Sequence, residues 1–120
     1  MTRPTYKELN NKIVKAKEAI SKERINLLEP HVIAMDALEL GYEVDNIAKV
    51  LSELFNEATP KHYVGSHPPQ KSYKGDIFNL NLFAFKIESK RFSCDVYVKY
   101  VLKDETLWLV SLHEHREKEQ

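Results

Sequence analysis

The chain has 120 residues, of which 42% are hydrophobic, and this is enough for one domain with a modest core. The composition excludes a disordered or low-complexity protein, because only 30% of the residues are charged and glycine and proline are few. A formal net charge of zero excludes a uniformly basic surface, although residues 60–103 hold eight Lys or Arg against three Asp or Glu and can attract a polyanion.

Three features bear on the location of the protein. No apolar run approaches the roughly 18 residues of a membrane span, and the first twelve residues are charged where a signal peptide has an apolar core. Cys94 is the single cysteine, so an internal disulfide is excluded. We therefore expect a reduced, cytoplasmic protein that is not associated with a membrane.

Residues 5–57 are predicted to be helical. Thr5 and Glu8 have the spacing of a capping box, and apolar residues then recur at intervals of three and four, as on one face of a helix. A second helix is predicted to begin at Pro30, which suits a first turn, and to end at Gly41, which suits a left-handed cap. A third amphipathic run completes this helical part.

A loop is predicted over residues 58–75, because three prolines and two glycines interrupt every hydrophobic period there. Loops on a rigid scaffold often carry functional residues. The candidates in this loop are Lys61, Gln70, Lys71 and Lys74.

Residues 76–115 are predicted to form an antiparallel sheet. For its last hairpin, a two-residue loop would bury His113, whereas the three-residue loop 103–105 gives one apolar and one mainly polar face. We therefore expect Asp95 beside His113 and Tyr97 beside Ser111. The side chains predicted to face the helices are Val96, Val98, Tyr100, Trp108, Val110 and Leu112.

These elements predict a single α+β domain over residues 1–120, with N-terminal helices packed on one face of a C-terminal antiparallel sheet. The opposite face is expected to be partly open. Its predicted side chains are Asp95, Tyr97, Lys99, Ser111, His113 and His115.

Several chemistries are compatible with this open face. His113 and His115 lie two apart on a strand and so share a face. They can supply two metal ligands, but zinc needs three or four, and a third would have to come from His62, His67 or Asp95. Nucleophilic catalysis would need a serine or thiol beside a histidine, for which Ser111 and Cys94 are the candidates.

RNA cleavage is the third chemistry, because RNA carries its own nucleophile in the 2′-hydroxyl. Tyr97, Lys99 and His113 have side chains that position a phosphate, neutralise its charge and transfer protons. The same residues also fit a plain sheet surface, with Tyr97 as packing and Lys99 as a solvated charge. A non-catalytic interaction domain on this scaffold is therefore a separate interpretation.

Short motifs in the sequence resemble a known family. They are ALELGYEVDNI at residues 37–47, GDIF at 75–78, DVYVK at 95–99 and LVSLHE at 109–114. In this order they resemble the motility quorum-sensing regulator (MqsR) family of toxins, which are bacterial messenger-RNA-cleaving enzymes related to the RelE fold. The resemblance implies helices leading into a curved antiparallel sheet, and an endoribonuclease that needs no metal or other cofactor.

The resemblance also implies site residues. The family's site has a loop lysine, a nearby glutamine, a central-strand tyrosine and a last-strand lysine, for which Lys61, Gln70, Tyr97 and His113 stand here. Histidine in place of the last lysine is a better proton donor near neutral pH. The catalytic residues are thus expected to be Tyr97, His113 and Lys61, with His113 as general acid. The RNA-binding residues are expected to be Lys99, Lys71, Lys74, Gln70 and Arg116.

Partners follow from the same resemblance. We expect an RNA substrate and a protein antitoxin encoded nearby. A homodimer is left open.

Overall fold

Helices come first and the long strands last in the computed structural model, which describes residues 4–115. These residues contain three α-helices, α1 (Tyr6–Ser21), α2 (Pro30–Leu40) and α3 (Ile47–Asn56). They also contain four strands, β1 (Ile25–Leu27), β2 (Phe83–Ser89), β3 (Cys94–Lys103) and β4 (Thr106–Glu114). The predicted α+β class is confirmed. Across residues 4–115, no helix combines the length and apolar character needed to cross a membrane.

The helix ends follow the local sequence signals. The Thr5 hydroxyl accepts a hydrogen bond from the Glu8 amide at 3.1 Å, and the Glu8 carboxylate accepts one from the Thr5 amide at 2.8 Å, so the predicted capping box is present. Helix α2 begins at Pro30 and is capped by Gly41 at φ 93°, a left-handed conformation that glycine adopts without strain.

The sheet has the strand order β1-β4-β3-β2. Strands β2, β3 and β4 are antiparallel neighbours, as predicted, but β1 lies parallel to β4 at the edge, with Ile25 opposite Leu107. The sheet is therefore mixed. The sequence did not predict β1, because a three-residue strand between two helices is too short to display an alternation.

The β3–β4 register differs from the prediction. The turn contains two residues, Asp104 and Glu105, with φ of 52° and 63°; such paired left-handed residues match the strand twist in tight hairpins. Tyr100 consequently lies opposite Leu109, and Val110 is the extra residue of a β-bulge. Beyond the bulge, Tyr97 lies opposite His113, where Asp95 had been predicted.

The bulge also changes which side chains form the core. Leu107 and Leu109 are fully buried before it and Leu112 after it, because the extra residue shifts the alternation by one. Trp108 and Val110, predicted to face the helices, are only half-buried. The predictions for Val96, Val98, Tyr100 and Leu112 are correct, since all four are completely buried.

The main core lies between the helices and one face of the sheet. Tyr100 is at its centre, with its ring against Phe55 and Phe85 and its hydroxyl donating to the Lys12 carbonyl at 3.2 Å. Burial raises the pKa of this hydroxyl. The helical residues buried in the cluster include Leu9, Ile13, Ala16, Ile33, Val50, Leu51 and Leu54.

The later part of the segment between α3 and β2 lies against the other face of the sheet. The strand predicted to begin at residue 76 begins instead at Phe83, and residues 75–77 form a short 3₁₀ helix. An antiparallel bridge between Lys71 and Asn81 closes this segment into a loop. Ile77 from the loop is fully buried outside the main cluster, so the loop has a small apolar anchor of its own.

Candidate functional site

Two rows of mainly polar side chains cross the face of the sheet opposite the helices. The strand register sets Lys86, Tyr97 and His113 opposite one another on β2, β3 and β4. The next row holds Ala84, Lys99 and Ser111. Because side chains two apart on a strand share a face, both rows lie on the same surface.

Tyr97 and His113 form a direct contact in the first row. Their rings stack with centroids 5.2 Å apart and an interplanar angle of 21°. The His113 Nδ1 lies 2.8 Å from the Glu114 carbonyl oxygen. Since a carbonyl oxygen only accepts, Nδ1 is the donor in this hydrogen bond and carries a hydrogen.

Lys86 is a site residue that the sequence analysis missed. It lies directly opposite Tyr97, and its ammonium is 3.7 Å from the Asp95 carboxylate, with both side chains partly exposed. The alternation of β2 would have identified it, had the register of the β2–β3 hairpin been derived as well.

The loop before β2 brings Gln70 to the same surface. A cleft of about 190 Å³ is lined by Gly65, Ser66 and Gln70 from the loop and by Tyr97 and Lys99 from β3. An adjoining cleft again includes Gln70 and Lys99, together with Lys71 and Lys74. Of the predicted RNA-binding residues, Gln70 and Lys99 thus line the cleft with Tyr97, and Lys71 and Lys74 line the adjoining one. Arg116, the fifth, lies outside the described residues.

Lys61 is placed elsewhere, so the expected convergence of Lys61 with Tyr97 and His113 is corrected. It belongs to the 3₁₀ helix Pro60–His62, and it lines a cleft with Tyr6 and Leu9 of α1. Pro60 is buried on this helical side, which holds the first part of the loop against α1. Only the later part of the loop reaches the open face.

The metal and thiol interpretations lack structural support. Within residues 4–115, no three His, Cys, Asp or Glu side chains are grouped so as to hold a metal ion. The His62 Nδ1 accepts from the Thr59 amide at 3.0 Å, and the His67 ring stacks on Tyr63, so neither joins His113. Burial, with Glu114 and Asp95 nearby, raises the pKa of the Cys94 thiol, which disfavours the reactive thiolate.

No protein-family model matches this chain, and no curated protein matches it significantly. The resemblance to the MqsR family thus stays a prediction from short motifs. The side chains of the open face are therefore the basis on which a function can be inferred.

Proposed function

We propose that this chain is a toxin-like endoribonuclease that cleaves RNA without a metal, through attack by the substrate's own 2′-hydroxyl. The observation that carries the proposal is the stacked pair of Tyr97 and His113 on the open face, with Lys86 in the same row and Lys99 in the next. These side chains match the tasks that such a reaction sets.

The reaction requires two proton transfers and one exchange of bonds at phosphorus. The 2′-oxygen bonds to phosphorus as the bond to the 5′-oxygen breaks, a base takes the 2′-hydroxyl proton, and an acid gives a proton to the leaving 5′-oxygen. The products are a 2′,3′-cyclic phosphate and a free 5′-hydroxyl.

His113, whose ring is oriented by the hydrogen bond from Nδ1 to the Glu114 carbonyl, acts as the general acid. Tyr97, beside it, positions the phosphate and takes the 2′-hydroxyl proton as the general base. Lys86 and Lys99 oppose the negative charge that develops on the phosphate oxygens, and fixed charges of this kind contribute a few kcal/mol each to the rate. Lys86 takes the place beside Tyr97 at which the sequence resemblance had put Lys61.

A protein antitoxin encoded nearby, acting in the cytoplasm, completes the proposal. Two features support it. The motifs resemble those of a family of paired toxins, and residues 60–103 carry a net charge of +5 that an acidic partner segment would complement. A short neighbouring reading frame with a DNA-binding signature is the observation to look for.

A non-catalytic interaction domain is the second candidate, and one observation favours it. His113 is only 7% exposed, so a substrate can reach no more than an edge of its ring. On this interpretation the open face binds a partner, and the Tyr97–His113 pair is packing.

Cleavage of single-stranded RNA by the purified chain tests the proposal. His113→Ala should lower the cleavage rate by about 100- to 10,000-fold, the usual contribution of a general acid. His113→Gln, which better fills the space of the ring, serves as a second variant, and Tyr97→Phe tests the hydroxyl alone. Lys17→Ala, at an exposed position on α1, is the control and should cleave normally.

The product ends and the response to chelators complete the test. The products should carry cyclic phosphate or 3′-phosphate ends with free 5′-hydroxyls, and chelators should leave the rate unchanged. Products with 5′-phosphates would mean that water is the nucleophile. No cleavage with or without ribosomes would favour the interaction domain.

A further inference from the structure

A second cleft adjoins the proposed cleavage site and differs from it in character. It has a volume of about 130 Å³, and its apolar lining comes from Leu28, Leu82 and Val110. Tyr73 adds an aromatic ring, and Gln70 and Lys99 are shared with the cleft that holds Tyr97. The two clefts are therefore neighbours that share these side chains.

Tyr73 is exposed although the backbone around it is fixed. The neighbouring Ser72 is buried, its amide donates to the Leu80 carbonyl at 2.9 Å, and its carbonyl accepts from the Asn79 amide at 2.6 Å. Tyr73 itself is 76% exposed. A large aromatic side chain that no core requires is thus exposed to solvent on a fixed part of the backbone.

Positive charge surrounds this ring. Lys71 and Lys74 flank the cleft from the loop, and Lys99 flanks it from β3. Lys74 forms an ion pair with Glu29 at 3.2 Å, which fastens the loop to the start of α2 while half of the lysine side chain stays exposed. An aromatic platform beside cations is the combination that proteins use to bind single-stranded nucleic acid, with the ring stacking on a base and the cations on the backbone.

We propose that this cleft binds an unpaired base of single-stranded RNA, which stacks on Tyr73 while the adjoining phosphate lies at Tyr97. The inference rests on the proposed RNA-cleaving function and adds a subsite to it. Leu82 and Val110 contact the apolar part of the base, and the Gln70 amide can bond to its polar edge, since it both donates and accepts. An unpaired base is required, because a base inside a duplex has no free face to stack on the ring.

Binding of two RNA strands of equal length, one complete and one without bases, tests this subsite by fluorescence anisotropy. Both strands carry 2′-O-methyl groups, so attack by the 2′-oxygen cannot cut them during the measurement. Tyr73→Ala should weaken binding of the complete strand by about 5- to 150-fold, the effect of losing one stacked base, and should leave the strand without bases unaffected. Tyr73→Phe should restore binding.

Tyr6→Ala is the matched control, because Tyr6 is an exposed tyrosine on α1, 64% exposed, and its loss should change neither affinity. Equal binding of the complete strand by Tyr73→Ala and the unchanged protein would overturn the subsite, even if the protein cleaves RNA. Failure of the unchanged protein to bind the complete strand would also overturn it. Base-dependent binding without cleavage of ordinary RNA would keep the subsite and refute the nuclease.

Discussion

Lys86 and Lys61 differ in their surroundings, and this difference separates their expected contributions to cleavage. Lys86 lies opposite Tyr97, whereas Lys61 lies beside α1. Lys86→Ala should lower kcat/KM for RNA by about 100-fold, as expected for the loss of one group that stabilises transition-state charge. Lys61→Ala should cleave at nearly the normal rate. Steady-state kinetics at one fixed salt concentration compare the two, and a larger loss at Lys61 would favour the site implied by the family resemblance.

Only those features of the candidate site that depend on the periodicity of a single strand could be predicted from the sequence. Alternation along β3 and β4 put Tyr97 and His113 on one face only because the assumed three-residue loop shifted the register as the bulge does. The direct contact between Tyr97 and His113 depends on the bulge at Val110, and the position of Lys86 beside Tyr97 depends on the β2–β3 register. Both the bulge and the register are properties of pairs of strands. Lys61 was misplaced because its loop passes from the helical side to the open face, and no sequence period marks that crossing.

At the scale of single elements, the β3–β4 turn contains removable strain. Glu105 has φ 63°, a conformation that costs a residue with a side chain about 1 kcal/mol or more. Glu105→Gly should therefore raise the free energy of unfolding by about 0.5–1 kcal/mol, after allowance for the greater freedom of glycine in the unfolded chain. Urea unfolding followed by Trp108 fluorescence measures this change.

Glu105→Ala is the control for that variant. It also removes the ion pair with Arg24, at 3.1 Å, which contributes little because both side chains are well exposed. It keeps the strain, so no gain in stability is expected. An equal gain in both variants would show that the left-handed turn is not the cause.

The bulge makes a further prediction about the core. Leu109→Ala should lower the free energy of unfolding by about 2–5 kcal/mol, the usual cost of a cavity at a fully buried leucine. Val110→Ala should cost only about 1 kcal/mol, because its side chain is half-buried. Thermal or urea unfolding of both variants gives the comparison, and the reverse order would restore the register predicted from the sequence.

The elements themselves could be predicted unequally, for a physical reason. The ends of α1 and α2 are fixed by hydrogen bonds between residues that are close in the chain, at Thr5, Glu8 and Gly41. The local sequence is therefore sufficient to predict them. Strand β1 exists because β4 pairs with it from more than eighty residues away along the chain. The local conformational preference of residues Ile25–Leu27 does not indicate that such a partner exists.

At the scale of the whole molecule, we expect two buried tyrosines to make the folded protein less stable at alkaline pH. Burial, and secondarily the Asp36 carboxylate, raises the pKa of Tyr42 to about 12, and burial raises that of Tyr100 as well. The folded state holds these protons more tightly than the unfolded state does, so the stability they contribute is complete below pH 10. It is lost as the pH rises through about 12.

Urea midpoints between pH 8 and pH 12 measure this loss, and Tyr42→Phe should make it shallower. The Tyr42 hydroxyl is buried without a hydrogen-bond partner in the part of the chain that the structure describes. Its removal should therefore raise the free energy of unfolding at pH 8 by about 1 kcal/mol. An unchanged alkaline slope together with lower stability at pH 8 would contradict both expectations.

The position of β4 has a consequence for the order of events during synthesis. This strand is the last of the sheet to be made, yet it lies between β3 and β1 and contributes Leu107, Leu109 and Leu112 to the core. Until it leaves the ribosome, β1 has no neighbour and the helices have only an incomplete sheet to pack on. Contacts between such distant parts of a chain form slowly. We therefore expect the core to close only after β4 has emerged, in one late step.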